Sequence, residues 1–168
     1  MHKPPALTVA DLLDPVKQEK IAPALAKYMG EGGCYQELFK ISADDMEEKY
    51  AAGVELFKKE DFTGASEVFS VLTMVSPYVK KYWTALGSTT LKLKEYDLAI
   101  IHYDVASTLD EKDPELPFMM AYGYVKLKQT KEAKEALERT VTLAKKDHAH
   151  RSLEDKAGAF LKQLASEK

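Results

Sequence analysis

The residue types that most often carry chemistry occur here in patterns too sparse for a catalytic site. Gly30-Glu31-Gly32-Gly33 is too short for a phosphate-binding loop and lacks its Gly-Lys-Ser/Thr ending, so we expect a turn or hinge there. Cys34 has no candidate base beside it, which favours a buried or incidental thiol over a nucleophile. His148 and His150 would lie on different sides of a helix, with no cysteine or third histidine nearby. The sequence therefore predicts no catalytic residues, no metal site and no cofactor, and we do not expect an enzyme.

The overall composition narrows the class of protein. The chain has 168 residues, with 24 Lys and Arg against 27 Asp and Glu, and a net charge of −3 at pH 7. This balance removes the main electrostatic reason to expect a nucleic-acid partner. Cys34 is the single cysteine, which fits a reducing compartment, and no apolar stretch is long enough to span a membrane. We therefore expect a soluble, cytoplasmic protein.

A 34-residue period organises the middle of the chain. Ala65, Ala99 and Ala133 are 34 residues apart. A small residue stands twelve positions before each alanine, and a large apolar residue stands four positions after it. This is the period of the tetratricopeptide repeat, a pair of antiparallel helices that its small residues allow to pack closely. The small residues are Gly53, Gly87 and Ala121, and the large residues are Phe69, Tyr103 and Leu137.

The period predicts an all-α solenoid with three parts. Residues 46–147 would form three tetratricopeptide repeats, because no single repeat can bury its apolar face alone. Residues 1–45 do not fit the period and would form an N-terminal helical arm. Residues 148–168 carry an apolar stripe and would form a C-terminal capping helix. The three predicted repeats are 46–79, 80–113 and 114–147.

Several local signals predict where the helices begin. Ser76-Pro77 and Asp113-Pro114 suit a capping residue followed by a first-turn proline, and Ser152 with Asp155 resembles a capping box. In the arm, a helix is expected to start near Asp14-Pro15, and Pro23 would kink or interrupt it. His102 is expected on the surface of the middle repeat.

The concave face is the remaining candidate for function, because the first helix of each tetratricopeptide repeat lines it. The candidate side chains include several aromatic rings, and a large exposed apolar patch usually marks a binding site. Three lysines recur at one position of the repeat and would form a basic edge along an extended peptide. The two-carboxylate clamp of heat-shock co-chaperones is absent. The candidate peptide-binding residues are Tyr50, Val54, Phe57, Lys58, Thr84, Ser88, Leu91, Lys92, Phe118, Tyr122 and Lys126.

Three further segments resemble one family of repeat proteins. They are Ile41-Ser42-Ala43-Asp44-Asp45-Met46-Glu47, Lys94-Glu95-Tyr96-Asp97-Leu98-Ala99-Ile100 and Asp110-Glu111-Lys112-Asp113-Pro114-Glu115-Leu116-Pro117-Phe118. The last is the most specific, because its loop and its Pro-x-x-Pro-Phe ending are not part of the general repeat pattern. Over about residues 35–145 the chain resembles the class II chaperones of bacterial type III secretion, which hold hydrophobic translocator proteins.

The resemblance implies a binding function without chemistry. The groove would bind a Pro-x-Leu-x-x-Pro-like segment of a translocator and keep that protein soluble and competent for secretion. The N-terminal arm would mediate homodimerisation, and neither nucleic acid nor membrane insertion is implied. A generic tetratricopeptide scaffold or adaptor in another protein assembly is the alternative function.

Overall fold

The chain folds into helices that pack in sequential antiparallel pairs, which confirms the predicted all-α repeat fold. The computed structural model describes residues 15–166, with side chains from residue 21 onward. A 3₁₀ turn at His148–His150 leads into the last helix. The helices of the described part are α1 (Pro15–Gly30), α2 (Tyr35–Leu38), α3 (Ala43–Lys58), α4 (Phe62–Val75), α5 (Lys80–Lys92), α6 (Tyr96–Leu109), α7 (Glu115–Lys126), α8 (Thr130–Ala144) and α9 (Arg151–Ser166).

Each helix pair closes where a small residue of its first helix meets a large residue of its second. A Cβ added at Gly53 would lie 2.7 Å from the Phe69 ring, and one added at Gly87 would lie 3.0 Å from the Tyr103 ring. The rings of Phe69 and Tyr103 are almost completely buried. In the third pair, Ala121 and Leu137 occupy the same positions and are fully buried. The small-residue column therefore lets the paired helices approach closely.

The turn inside each pair is built in the same way three times. Glu60, Lys94 and Lys128 are 34 residues apart, and each has a positive φ, of 62°, 65° and 61°. After each, a backbone amide reaches back to the preceding helix; for example, the Glu95 amide donates to the carbonyl of Thr90 at 2.9 Å. This is the left-handed helix ending that satisfies free carbonyls and usually employs glycine. The three turns reverse the chain at equivalent points, which keeps α3, α5 and α7 on one side.

Two predicted helix starts are wrong. Helix α5 begins at Lys80, and Ser76 instead ends α4 and donates its hydroxyl to the Gln36 side chain at 2.7 Å. Helix α9 begins at Arg151, before Ser152, because the Asp147 side chain already caps the 3₁₀ turn that leads into it. Asp113 does act as expected, since its Oδ1 accepts the amide of Glu115 at 2.9 Å.

Two further predictions need correction. Pro23 lies inside α1, which is assigned as one helix from Pro15 to Gly30. His102 is half-buried and not on the surface, because its ring packs 6.0 Å from that of Trp83. Gly33 lies in a turn, as expected, and its missing side chain makes room for the buried ring of Tyr28.

The arm that precedes the first repeat is tied to it by α2. The hydrogen bond from Ser76 to Gln36 joins α2 to the end of α4, and the Tyr28 hydroxyl donates to the Glu37 carboxylate at 2.7 Å. That acceptor, followed by burial, raises the pKa of the Tyr28 phenol above its ordinary value. No helix within residues 15–166 is both long enough and apolar enough to cross a bilayer.

Candidate peptide-binding groove

The first helices of the three pairs enclose a cavity of about 380 Å³, which we call the groove cavity. Its walls come from three different repeats, so it exists only because the repeats stack. Tyr122 is 43% exposed at its edge, which is unusual for so large a ring. The lining residues are Phe57 of α3, Ser88, Leu91 and Lys92 of α5, and Phe118, Met119 and Tyr122 of α7.

The polar atom inside the groove cavity already has partners in the protein. The Ser88 hydroxyl donates to the carbonyl of Thr84 at 2.9 Å and lies 2.9 Å from the Tyr103 hydroxyl. The rest of the lining is apolar except for Lys92. The groove cavity therefore suits an apolar side chain, whose burial requires no further hydrogen bond.

Helix contacts hold the aromatic walls in place. The ring of Phe57 packs edge-on against Phe62, with 5.2 Å between ring centroids, which fixes the end of α3 against the start of α4. Phe118 packs partly against the apolar core formed by α7, α8 and α9. Both rings are half-buried, so each presents one side to the groove cavity and the other to the core.

The three periodic lysines lie at the C-terminal ends of the first helices but differ in their surroundings. Lys58 is paired with Glu55 at 2.8 Å. Lys92 and Lys126 are exposed, and within the described part of the chain neither forms an ion pair. The ammonium of Lys126 instead lies 5.1 Å from the centre of the Tyr122 ring. The predicted basic edge is thus neutralised at one end and charged toward the third repeat.

Tyr50 lies away from the groove cavity and packs into the core between the first two repeats. Its ring centroid is 5.7 Å from that of Phe69 and 5.7 Å from that of Tyr82. The ammonium of Lys81 lies 4.6 Å from the centre of the Tyr50 ring and is ion-paired with Glu47. This hydrogen bond from Lys81 to Glu47 raises the pKa of the lysine. The Tyr50 ring therefore has a structural role that any test of binding must separate from contact with a ligand.

The structure brings six of the eleven candidate residues together around the groove cavity: Phe57, Ser88, Leu91, Lys92, Phe118 and Tyr122. Five others do not line it. Val54 packs against the same core as Tyr50, and the Thr84 hydroxyl donates to the Lys80 carbonyl. Peptide contact by any of the eleven remains a prediction. The five outside the lining are Tyr50, Val54, Lys58, Thr84 and Lys126.

Met119 lines the groove cavity and was missed by the sequence reasoning. The 34-residue alignment places it in one column with Ala51 and Ala85. A change from two alanines to methionine at a groove-facing column is the signal that could have identified it. Methionine is a flexible apolar residue that suits surfaces which adapt to their partners.

Known proteins share both this fold and part of its sequence, although no protein-family model matches the chain. The low calcium response locus protein H of Yersinia pestis is 27% identical over 114 residues, which are 68% of this chain and 68% of that protein. The type III secretion translocator chaperone SycD of Yersinia enterocolitica shares the fold, with a TM-score of 0.72 and 24% identity over 78% of this chain and 98% of SycD.

A third relative has been solved with a bound partner. PcrH of Pseudomonas aeruginosa, in complex with the chaperone-binding region of PopD, is 27% identical, with a TM-score of 0.72 over 75% of this chain and 95% of PcrH. The chain belongs to the PcrH- and SycD-like type III secretion chaperones. This chaperone acts by binding and not by catalysis, as its relatives do.

The described part of this chaperone offers no other chemistry. Across residues 15–166, no three His, Cys, Asp or Glu side chains come close enough to hold a metal ion. Cys34 is buried, and it lies beside α2 and away from the groove cavity.

Proposed function

We propose that this chaperone holds an extended segment of a type III secretion translocator across its concave groove before secretion. The groove cavity carries the proposal, because three repeats converge there on an apolar space with exposed aromatic edges. PcrH, at 27% identity, is a relative that binds the chaperone-binding region of PopD. The chaperone would work in the bacterial cytoplasm and would not itself enter the membrane.

Binding alone is sufficient for this function. A translocator contains apolar segments that would aggregate or insert prematurely if left free. A protein that binds the soluble form stabilises it against those alternatives by mass action, to an extent set by affinity and concentration. No bond is made or broken, so release requires only that the segment leave the groove.

The bound segment is proposed to be Pro-x-Leu-x-x-Pro-like. Prolines favour an extended backbone that loses little conformational entropy on binding, and the leucine would supply the apolar anchor. A cavity of about 380 Å³ has room for one such side chain between Phe57 and Phe118. The segment would then run across α3, α5 and α7.

The N-terminal arm is proposed to mediate homodimerisation. The first repeat leaves apolar surface open, since Val71 is 54% exposed and Met74 is 60% exposed. Beside them lies an apolar pocket of about 410 Å³, between α3 and α4. Light scattering on the full chain and on a variant lacking residues 1–35 tests this proposal: the full chain should have the larger mass, and equal monomeric masses would contradict it.

The groove is tested by titrating a fluorescent peptide that spans the chaperone-binding region of PopD. Truncating a true anchor should weaken binding by about 2 kcal/mol or more, or roughly 30-fold. We expect this loss for Phe118→Ala and Tyr122→Ala. Tyr78→Ala is the matched control, because Tyr78 is a tyrosine 56% exposed that lies outside the groove cavity.

Thermal melts of the variants separate binding from folding. Tyr122→Ala should keep the wild-type melting temperature within a few degrees, because its ring is largely exposed. If Tyr122→Ala and Phe118→Ala bind like the wild type while folded, the peptide site lies elsewhere. Tyr50→Ala is a poor choice here, since loss of its core contacts would lower stability as well.

Co-expression distinguishes a chaperone from the alternative, a generic scaffold. A secreted protein with two long apolar segments, encoded beside this chain, should move from the pellet to the soluble fraction when the chaperone is present. A scaffold would leave its solubility unchanged. The Tyr122→Ala variant should rescue less protein than the Tyr78→Ala control.

A further inference from the structure

The charge along the edge of the groove is uneven, although its lysines are periodic. Lys58, Lys92 and Lys126 stand at the same position of successive repeats, 34 residues apart. Glu55 neutralises Lys58 at 2.8 Å. The residues that correspond to Glu55 in the next two repeats are Thr89 and Gly123, which carry no charge. The second and third lysines therefore lack the intrahelical partner that the first one has.

Lys92 places this charge at the groove cavity itself. It lines the cavity together with Leu91 and Phe118, and it remains exposed. Its ammonium lies 6.0 Å from the centre of the Phe62 ring. A ligand side chain in the cavity would thus have a cation beside its own backbone. Lys126 continues the cationic edge past Tyr122.

Building on the proposed function, we infer that the segment held by the groove carries a carboxylate next to its apolar anchor, and that Lys92 and Lys126 receive it. Charge complementarity is the basis of the inference: the apolar space and the unpaired lysines adjoin, so one short peptide can satisfy both. An exposed pair of this kind strengthens binding about two- to five-fold, and it selects a partner and its orientation more than it raises affinity.

The competing explanation is that these lysines only stabilise helix ends. Lys58, Lys92 and Lys126 are each the last residue of their helix, where a cation interacts favourably with the helix dipole. That role would be the same in all three repeats and would not depend on any ligand. Lys58 is therefore the matched control, since it occupies the same helix end but is already paired.

The test uses two fluorescent peptides that differ only in charge. Both contain Pro-x-Leu-x-x-Pro, with either glutamate or glutamine on each side of the leucine. At low salt the glutamate peptide should bind the wild type about three- to five-fold more tightly than the glutamine peptide. The preference should disappear in 1 M salt, where charges are screened within about 3 Å. Lys92→Gln should reduce the preference, and Lys92→Gln with Lys126→Gln should abolish it, whereas Lys58→Gln should keep it.

The outcomes separate this inference from the proposed function. Equal binding of the two peptides to the wild type overturns the inference and leaves the groove as an apolar site. A preference that survives in the Lys92→Gln, Lys126→Gln double variant also overturns it. If the PopD segment binds and neither designed peptide does, the acidic motif is wrong. If none of the three peptides binds, the proposed function fails as well.

Discussion

The contact of Gly87 with Tyr103 allows a quantitative test of how the repeats pack. A Cβ at position 87 would lie 3.0 Å from two carbons of the Tyr103 ring, whereas ordinary contacts are 3.4 Å or longer. The ring has no exposed surface, and its hydroxyl is 2.9 Å from that of Ser88. It therefore has little freedom to move away. The corresponding contact at Gly53 is tighter, with the Phe69 ring at 2.7 Å.

Two opposing effects set the result of changing glycine to alanine. Alanine favours a helix over glycine by about 0.8–1 kcal/mol, and overpacking a close contact costs about 1–3 kcal/mol. Gly158 lies inside α9 with nothing within 4 Å of its added Cβ, so only the first effect applies there. We expect Gly158→Ala to stabilise the fold by up to about 1 kcal/mol. Gly87→Ala should destabilise it by about 1 kcal/mol and Gly53→Ala by about 2 kcal/mol.

Urea unfolding followed by far-UV circular dichroism measures the three free energies. The order of stability should be Gly158→Ala, wild type, Gly87→Ala and Gly53→Ala. Adding Tyr103→Leu to Gly87→Ala recreates the alanine–leucine pair of the third repeat, so the double variant should lose about 1 kcal/mol less than the sum of its single changes. If Gly53→Ala stabilises the fold as Gly158→Ala does, close packing is not the reason for the small-residue column.

Three other changes test single contacts by the same unfolding assay. Tyr103→Phe should cost about 1 kcal/mol at neutral pH; burial raises the pKa of Tyr103 to about 12 from 10.0, so the wild type alone loses this group's stabilisation as the pH rises through that range, and a constant gap would contradict this. Burial lowers the pKa of His102 below 6.5, so wild-type stability should fall more steeply than that of His102→Gln as the pH drops below 6.5; parallel curves would show that the imidazole is solvated. Lys94→Gly should stabilise the fold by up to about 1 kcal/mol, because Lys94 has a φ of 65°, and a loss of stability would refute strain there.

The repeat fold could be predicted from the sequence because the same packing contact occurs three times. The Gly87–Tyr103 contact alone would be a weak signal, but the equivalent columns contain small and large residues in every repeat. Helix starts were less predictable, because a cap depends on one local hydrogen bond with several possible donors. Ser76 preceded a proline as a cap would, yet its hydroxyl bonds to Gln36, which is 40 residues away in sequence.

The candidate site was only partly predictable for a related reason. Column positions place a side chain on the concave side of the first helices, but they do not say whether a neighbouring repeat covers it. Tyr50 and Phe118 share a column, yet Tyr50 packs against Phe69 and Tyr82 while Phe118 lines the groove cavity. The difference depends on contacts between repeats, which the period of the sequence does not describe.

The groove cavity arises where the repeats depart from one another. Over the three central columns, the second repeat has Thr84, Ala85 and Ser88, which are small, whereas the third has Phe118, Met119 and Tyr122. Small side chains in the middle leave a hollow, and the larger ones beside it, with Phe57 of the first repeat, form its walls. The conserved spacing of small and large residues thus builds the solenoid, and the unequal residues on its concave side shape the space that a partner can fill.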